Sequence, residues 1–77
     1  MMDEVLEKVR KAFFEAIAVD ENLVTLDAGP EDIPGWDSLG HVALGGSLEN
    51  VFKTNLEVDE LMEMEDVRSI VRIMKEK

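Results

Sequence analysis

The sequence has 77 residues, which is enough for one small domain over residues 1–77, and 45% of them are hydrophobic, which suffices for a single core. Cysteine is absent and histidine occurs once, so disulfides, thiolate chemistry and a Cys- or His-rich metal site are excluded. The lack of an apolar run of about 18 residues argues against a membrane span, and the net charge of −10 argues against a nucleic acid partner. We expect a soluble, cytoplasmic and monomeric protein.

An amphipathic helix is predicted from about residue 3 to residue 18. Apolar side chains recur there at helical spacing on one side, and charged side chains occupy the other. The apolar set is Val5, Leu6, Val9, Ala12, Phe13, Ala16 and Ile17.

Residues 19–37 are predicted to form a long connection, because glycine and proline interrupt the helical pattern. Four apolar residues within it are expected to pin the loop across the helices. These are Leu23, Val24, Leu26 and Ile33.

This loop belongs to a longer acidic block. Residues 12–52 contain no lysine or arginine but eight acidic side chains, namely Glu15, Asp20, Glu21, Asp27, Glu31, Asp32, Asp37 and Glu49. Acidity can simply keep a protein soluble. The length of this one-sign block favours the interpretation that it attracts partners with basic patches.

A second helix is predicted from Ser38, or beside it, to about Lys53, since Asp37 and Ser38 are both suitable N-caps. Its helical wheel has two apolar rows. The first consists of Leu44, Leu48, Val51 and Phe52. The second, here called the outer stripe, consists of Leu39, Val42, Ala43 and Gly46. The outer stripe is either exposed for a partner or covered by the long loop.

Gly45 and Gly46 lie inside this predicted helix, where each costs on the order of 1 kcal/mol relative to alanine. Three explanations stay open: a close backbone approach, room for a ligand, or a bend in the helix.

A short helical turn is predicted at residues 57–63, followed by a last amphipathic helix. The apolar face of that helix consists of Val67, Ile70, Val71, Ile73 and Met74. The predicted fold is therefore all-α, an irregular four-helix bundle with a long loop between helices 1 and 2.

Ser38 lacks the surroundings of a catalytic nucleophile. His41 lies only three residues away on the same helix, and Trp36 stands where a lipase-type G-x-S-x-G pattern needs glycine. His41 is instead predicted to lie at the rim of the core. We expect no enzymatic activity and no catalytic or metal-binding residue. Ser38 is then either a helix cap or a handle for a covalent phosphate group, which a helix N-terminus favours.

The stretch "EDIPGWDSL" at residues 31–39 resembles the phosphopantetheine attachment region of acyl carrier proteins. "DSL" alone is a weak signal, but it is followed by apolar residues at the spacing of that family. The length, the acidity and the order of the helices are also similar, so the resemblance covers nearly all of the chain. The matching apolar positions are Leu39, Val42, Leu44, Leu48, Phe52, Leu56, Val67, Ile70 and Val71.

The resemblance implies that Ser38 bears a covalent 4′-phosphopantetheine arm, installed from coenzyme A with Mg²⁺ by a phosphopantetheinyl transferase. The arm would hold acyl groups as thioesters for acyl-loading and acyl-transferring enzymes with basic docking patches. The resemblance also implies that Asp37 assists attachment. It implies partner contacts at Leu39 and Val42, in the stripe that also includes Ala43 and Gly46.

Fatty-acid members of the family usually have glutamate in place of Ala43 and a large apolar residue in place of Gly46. "GWDSLGH" is more similar to stand-alone carriers of specialised lipid, polyketide or related pathways than to carriers of bulk fatty acid synthesis. The alternatives are a non-catalytic interaction module of the same fold without the arm, and a small helical adaptor unrelated to carriers.

Overall fold

The computed structural model describes residues 3–77, which form four α-helices and one short 3-10 helix. The α-helices are α1 (Glu4–Ile17), α2 (Ser38–Phe52), α3 (Val58–Met62) and α4 (Val67–Lys75), and the 3-10 helix is Glu21–Leu23. No strand occurs within residues 3–77. The predicted all-α bundle, with a long loop between α1 and α2, is therefore confirmed. No helix of this part of the chain is long and apolar enough to cross a membrane.

α1 confirms the first predicted helix to within one residue at each end. It begins where Asp3 Oδ1 accepts the backbone N–H of Val5 at 3.0 Å, which satisfies a donor that the first turn would leave free. It ends at Ala18, which has a left-handed backbone conformation with φ of 54°. Its inner face is buried against α2 and α4, through Val9, Ala12 and Phe13.

The long loop is held by Val24 and Ile33, which are fully buried, and by Leu26, which is half-buried. Arg10 also donates from Nε to the Val24 carbonyl oxygen at 2.9 Å. The prediction for Leu23 was wrong, because its side chain is 44% exposed. Leu23 ends a 3-10 helix that the breaker pattern did not predict, and the chain turns Val24 inward in its place.

α4 supplies the opposite wall of the core. All five side chains predicted for its apolar face are buried. The helix begins at Asp66, whose Oδ1 accepts both the backbone N–H and the hydroxyl of Ser69 at 2.7 Å. These two donors from Ser69 hold the pKa of the Asp66 carboxyl below its ordinary value, because they stabilise the charged form.

The paired glycines of α2 differ in their surroundings. A Cβ atom at Gly45 would lie 2.9 Å from Leu61 Cδ1, so Gly45 allows α3 to pack closely on α2. A Cβ atom at Gly46 would meet no heavy atom within 4 Å. Close approach therefore explains Gly45, whereas Gly46 leaves open space at the surface.

Candidate functional site at the start of α2

Asp37 caps α2. Its backbone is extended, and its Oδ1 accepts the Gly40 N–H at 2.8 Å. Ser38 is the first helical residue, one position too late to cap the helix. The interpretation of Ser38 as the N-cap is therefore wrong, because the Asp37 carboxylate already satisfies the donor that a cap would bind.

Ser38 is exposed at this helix start. The first backbone N–H groups of an α-helix have no carbonyl partner within the helix, and here the cap takes only that of Gly40. The N–H groups of Ser38 and Leu39, together with the helix dipole, favour an anion at this end. The position thus suits a phosphodiester on the serine oxygen, and the residues present fit a phosphopantetheine group.

The loop reaches α2 by a close backbone contact that the sequence analysis missed. Gly35 has φ of +86°, a conformation that glycine adopts most readily. A Cβ atom at Gly40 would overlap the Gly35 carbonyl oxygen, so residue 40 must lack a side chain for the loop to lie here. The signal in the sequence was the glycine two residues after Ser38, in the first turn of a helix.

The outer stripe is exposed. Leu39 is 84% exposed and Val42 66%, and Ala43 and Gly46 also lie at the surface. The loop does not cover them. Val42 and Gly46 share a groove of about 240 Å³ with Val58 of α3. The protein thus leaves an apolar row in contact with solvent beside Ser38.

The acidic block places most of its negative charge at the surface. Seven of its eight carboxylates belong to exposed residues. The exception is Glu49, which is half-buried and accepts the Leu56 N–H at 2.9 Å, so that it holds the segment between α2 and α3.

Trp36 and His41 line a surface pocket together with Ser38. Trp36 is buried and packs edge-on against Phe13, with ring centroids 5.0 Å apart. Its Nε1 donates to His41 Nδ1 at 2.8 Å, and His41 Nε2 lies 2.8 Å from the Leu61 carbonyl oxygen. The prediction that His41 lies at the rim of the core is confirmed. The packing of Trp36 in the core was not predicted, because it depends on where the loop crosses α1.

These features define a class of protein: a small acidic helical bundle that presents an exposed serine at a helix start, beside an exposed apolar row. No protein-family profile matches the chain. It is 37% identical over 75 residues to the acyl carrier protein of Petrotoga mobilis, an alignment that covers 97% of this chain and 88% of that protein. The chain therefore belongs to the acyl carrier protein family, whose members are carriers rather than catalysts.

Proposed function

We propose that Ser38 bears a 4′-phosphopantetheine arm that presents acyl intermediates to partner enzymes in a specialised lipid, polyketide or related pathway. The observation that supports this most strongly is the division of roles at the start of α2. Asp37 caps the helix, so the exposed hydroxyl of Ser38 is not needed to form it. A solvent-exposed serine that is not needed to cap the helix is available for modification.

The attachment reaction is a phosphoryl transfer from coenzyme A. Ser38 Oγ bonds to the phosphorus next to the pantetheine, and the bond from that phosphorus to the nucleotide breaks, releasing adenosine 3′,5′-bisphosphate. The hydroxyl proton passes to a base of the transferase. Asp37 uses Oδ1 for the cap, which leaves Oδ2 to attract the Mg²⁺ ion that the transferase brings with coenzyme A. When attached, the arm supplies the thiol that holds an acyl group as a thioester.

The outer stripe is proposed as the docking surface for the transferase and for acyl-loading and acyl-transferring enzymes. Leu39 and Val42 provide apolar contact area next to Ser38. The exposed carboxylates attract basic patches on these partners and speed their encounter. Ala43 and Gly46 are smaller than the residues usual in fatty-acid carriers, which supports partners of a specialised pathway.

The test of attachment is the intact mass after incubation with coenzyme A, Mg²⁺ and a broad-specificity phosphopantetheinyl transferase. We expect a gain of one arm in the wild type and in Ser47→Ala, which removes the other serine of α2, and no gain in Ser38→Ala. If several transferases all leave the wild type unmodified, the proposal fails and the interaction module without an arm is favoured.

The pathway is tested by loading with the malonyl transferase of fatty acid synthesis. We expect slow loading of the wild type, and faster loading after Ala43→Glu and Gly46→Met are combined, because both changes restore the docking row of fatty-acid carriers. Wild-type loading as fast as that of a fatty-acid carrier would contradict the proposed specialisation.

A further inference from the structure

Three segments of the chain are joined through the ring of His41. Trp36 at the end of the loop donates to Nδ1, and the carbonyl oxygen of Leu61 in α3 lies 2.8 Å from Nε2. These contacts are here called the Trp36–His41–Leu61 bridge. The rings of Trp36 and His41 also stack, with centroids 6.0 Å apart and an interplanar angle of 28°.

The donors and acceptors determine the state of the ring. An indole nitrogen can only donate and a carbonyl oxygen can only accept, so Nδ1 must be unprotonated and Nε2 must bear the proton. A doubly protonated ring would place an N–H group against the indole N–H. The bridge therefore exists only with neutral His41 in the Nε2–H tautomer.

α3 depends on few attachments. It has five residues, none of which is fully buried, and a helix of that length does not persist alone. Its Leu61 side chain packs on Gly45, and Glu60 pairs with Lys77 Nζ at 2.6 Å. The bond from His41 to the Leu61 carbonyl oxygen is thus a principal polar attachment of α3 to α2.

The bridge stands next to Ser38. Ser38 and His41 of α2 and Met62 of α3 line an open pocket of about 400 Å³. The rest of its lining consists of Met64 and the loop residues Pro30, Trp36 and Asp37. His41 lies about one helical turn from Ser38. His41 and the end of α3 therefore line the same pocket as Ser38.

We propose that His41 is a positioning residue: through the bridge it fixes α3 and the end of the loop beside Ser38, and thereby fixes the surface that partner enzymes meet. This inference rests on the proposed function only for its effect on partners. The bridge itself is a property of the fold.

The groups that face the ring are few. The loop contributes the Trp36 indole and, in the same pocket, the carboxylate of Asp37. α3 contributes the Leu61 carbonyl oxygen and Met62, and α2 itself contributes Ser38. Asp37 is the one acidic residue among the described residues that line the pocket.

The direct test is ¹⁵N NMR of the histidine ring, which distinguishes its tautomers. We expect the Nε2–H form in the wild type near neutral pH. We also expect Trp36→Phe, which keeps the ring packed on Phe13 but removes the indole donor, to weaken that preference. A wild-type ring in the Nδ1–H form would overturn the proposal.

The functional test compares His41→Gln with His41→Leu. Glutamine can accept from Trp36 and donate to Leu61, whereas leucine can do neither. We expect His41→Leu to speed amide hydrogen exchange in α3 by about tenfold, as the loss of one partly buried hydrogen bond implies. We also expect slower phosphopantetheinyl transfer, with His41→Gln close to the wild type on both measures. Equal behaviour of the two variants would contradict the proposal.

If the wild type gains no arm at all, the proposed function fails. The tautomer and hydrogen-exchange measurements still test whether the Trp36–His41–Leu61 bridge exists and holds α3.

Discussion

The two faces of α2 carry similar apolar residues, but one face is buried and the other is exposed to solvent. On the inner face Leu44 and Leu48 have no exposed surface, whereas on the outer face Leu39 is 84% exposed and Val42 66%. The difference arises because α1 packs against the inner face, whereas neither α1 nor the loop covers Leu39 and Val42. Apolar spacing therefore identifies residues available for burial, and the packing of α1 and the loop decides which of them are buried and which remain exposed.

The largest predicted difference between the faces comes from truncating one leucine on each. Leu44→Ala should lower the free energy of unfolding by about 2–5 kcal/mol, since it leaves a cavity in the core. That is a large part of the roughly 4–12 kcal/mol expected for a chain of this length. Leu39→Ala should change it by less than about 0.5 kcal/mol. Urea unfolding measures both, and equal losses would show that the faces are not distinct.

Gly40→Ala tests the contact that directs the loop. Its Cβ atom would overlap the Gly35 carbonyl oxygen, which is backbone and cannot rotate away. We expect a loss of about 1–3 kcal/mol in thermal or urea unfolding, as is typical of overpacking. The fluorescence of Trp36, the sole tryptophan, should also shift. Unchanged stability and fluorescence would mean that the loop does not need this glycine.

Asp66→Ala weakens α4, whose buried side chains belong to the same core as Leu44 and Leu48. Loss of this cap should cost about 1 kcal/mol near neutral pH. Because folding lowers the pKa of Asp66, its stabilisation is present above the pKa of the unfolded chain and is lost as the pH falls through the lower pKa of the folded chain.

The control for this prediction is Asp66→Asn, which can still cap but does not titrate. The stability advantage of the wild type over Asp66→Asn should shrink as the solution is acidified. An advantage that does not change with pH would contradict the role of the charged carboxylate.

The smallest predicted effect is a difference in stability between the variants Gly46→Ala and Gly45→Ala. Gly46→Ala should raise the free energy of unfolding by about 0.5–1 kcal/mol, because alanine favours the helix and its Cβ meets open space. Gly45→Ala should gain less, since the Leu61 side chain must move to admit the Cβ. Thermal unfolding measures the stability of both variants. A higher stability of Gly45→Ala would contradict this account.

The sequence predicts well whatever depends on local periodicity. α1 and α4 bury the apolar faces read from helical spacing, and the short turn at residues 57–63 contains α3. The features that were wrong or missed depend on the loop. Leu23 lies outside because Val24 takes the inward position, and Trp36 enters the core because Gly35 and Gly40 bring the chain onto α2.

At the site, the sequence located the helix start but could not choose between two adjacent caps. Asp37 and Ser38 are equally suitable by residue type. The choice depends on the backbone conformation of Asp37, which is extended and aims its carboxylate at Gly40. Likewise, helical spacing could not decide whether the outer stripe is covered, because that depends on contacts distant in sequence.

The most direct measurement is to locate the arm on the chain after reaction with coenzyme A and the transferase. Trypsin cleaves after Lys11 and Lys53, so one peptide of residues 12–53 contains both Ser38 and Ser47. Fragmentation of this peptide by mass spectrometry should place the phosphopantetheine on Ser38. An arm on Ser47, or a peptide left unmodified by several transferases, would contradict the role assigned to the start of α2.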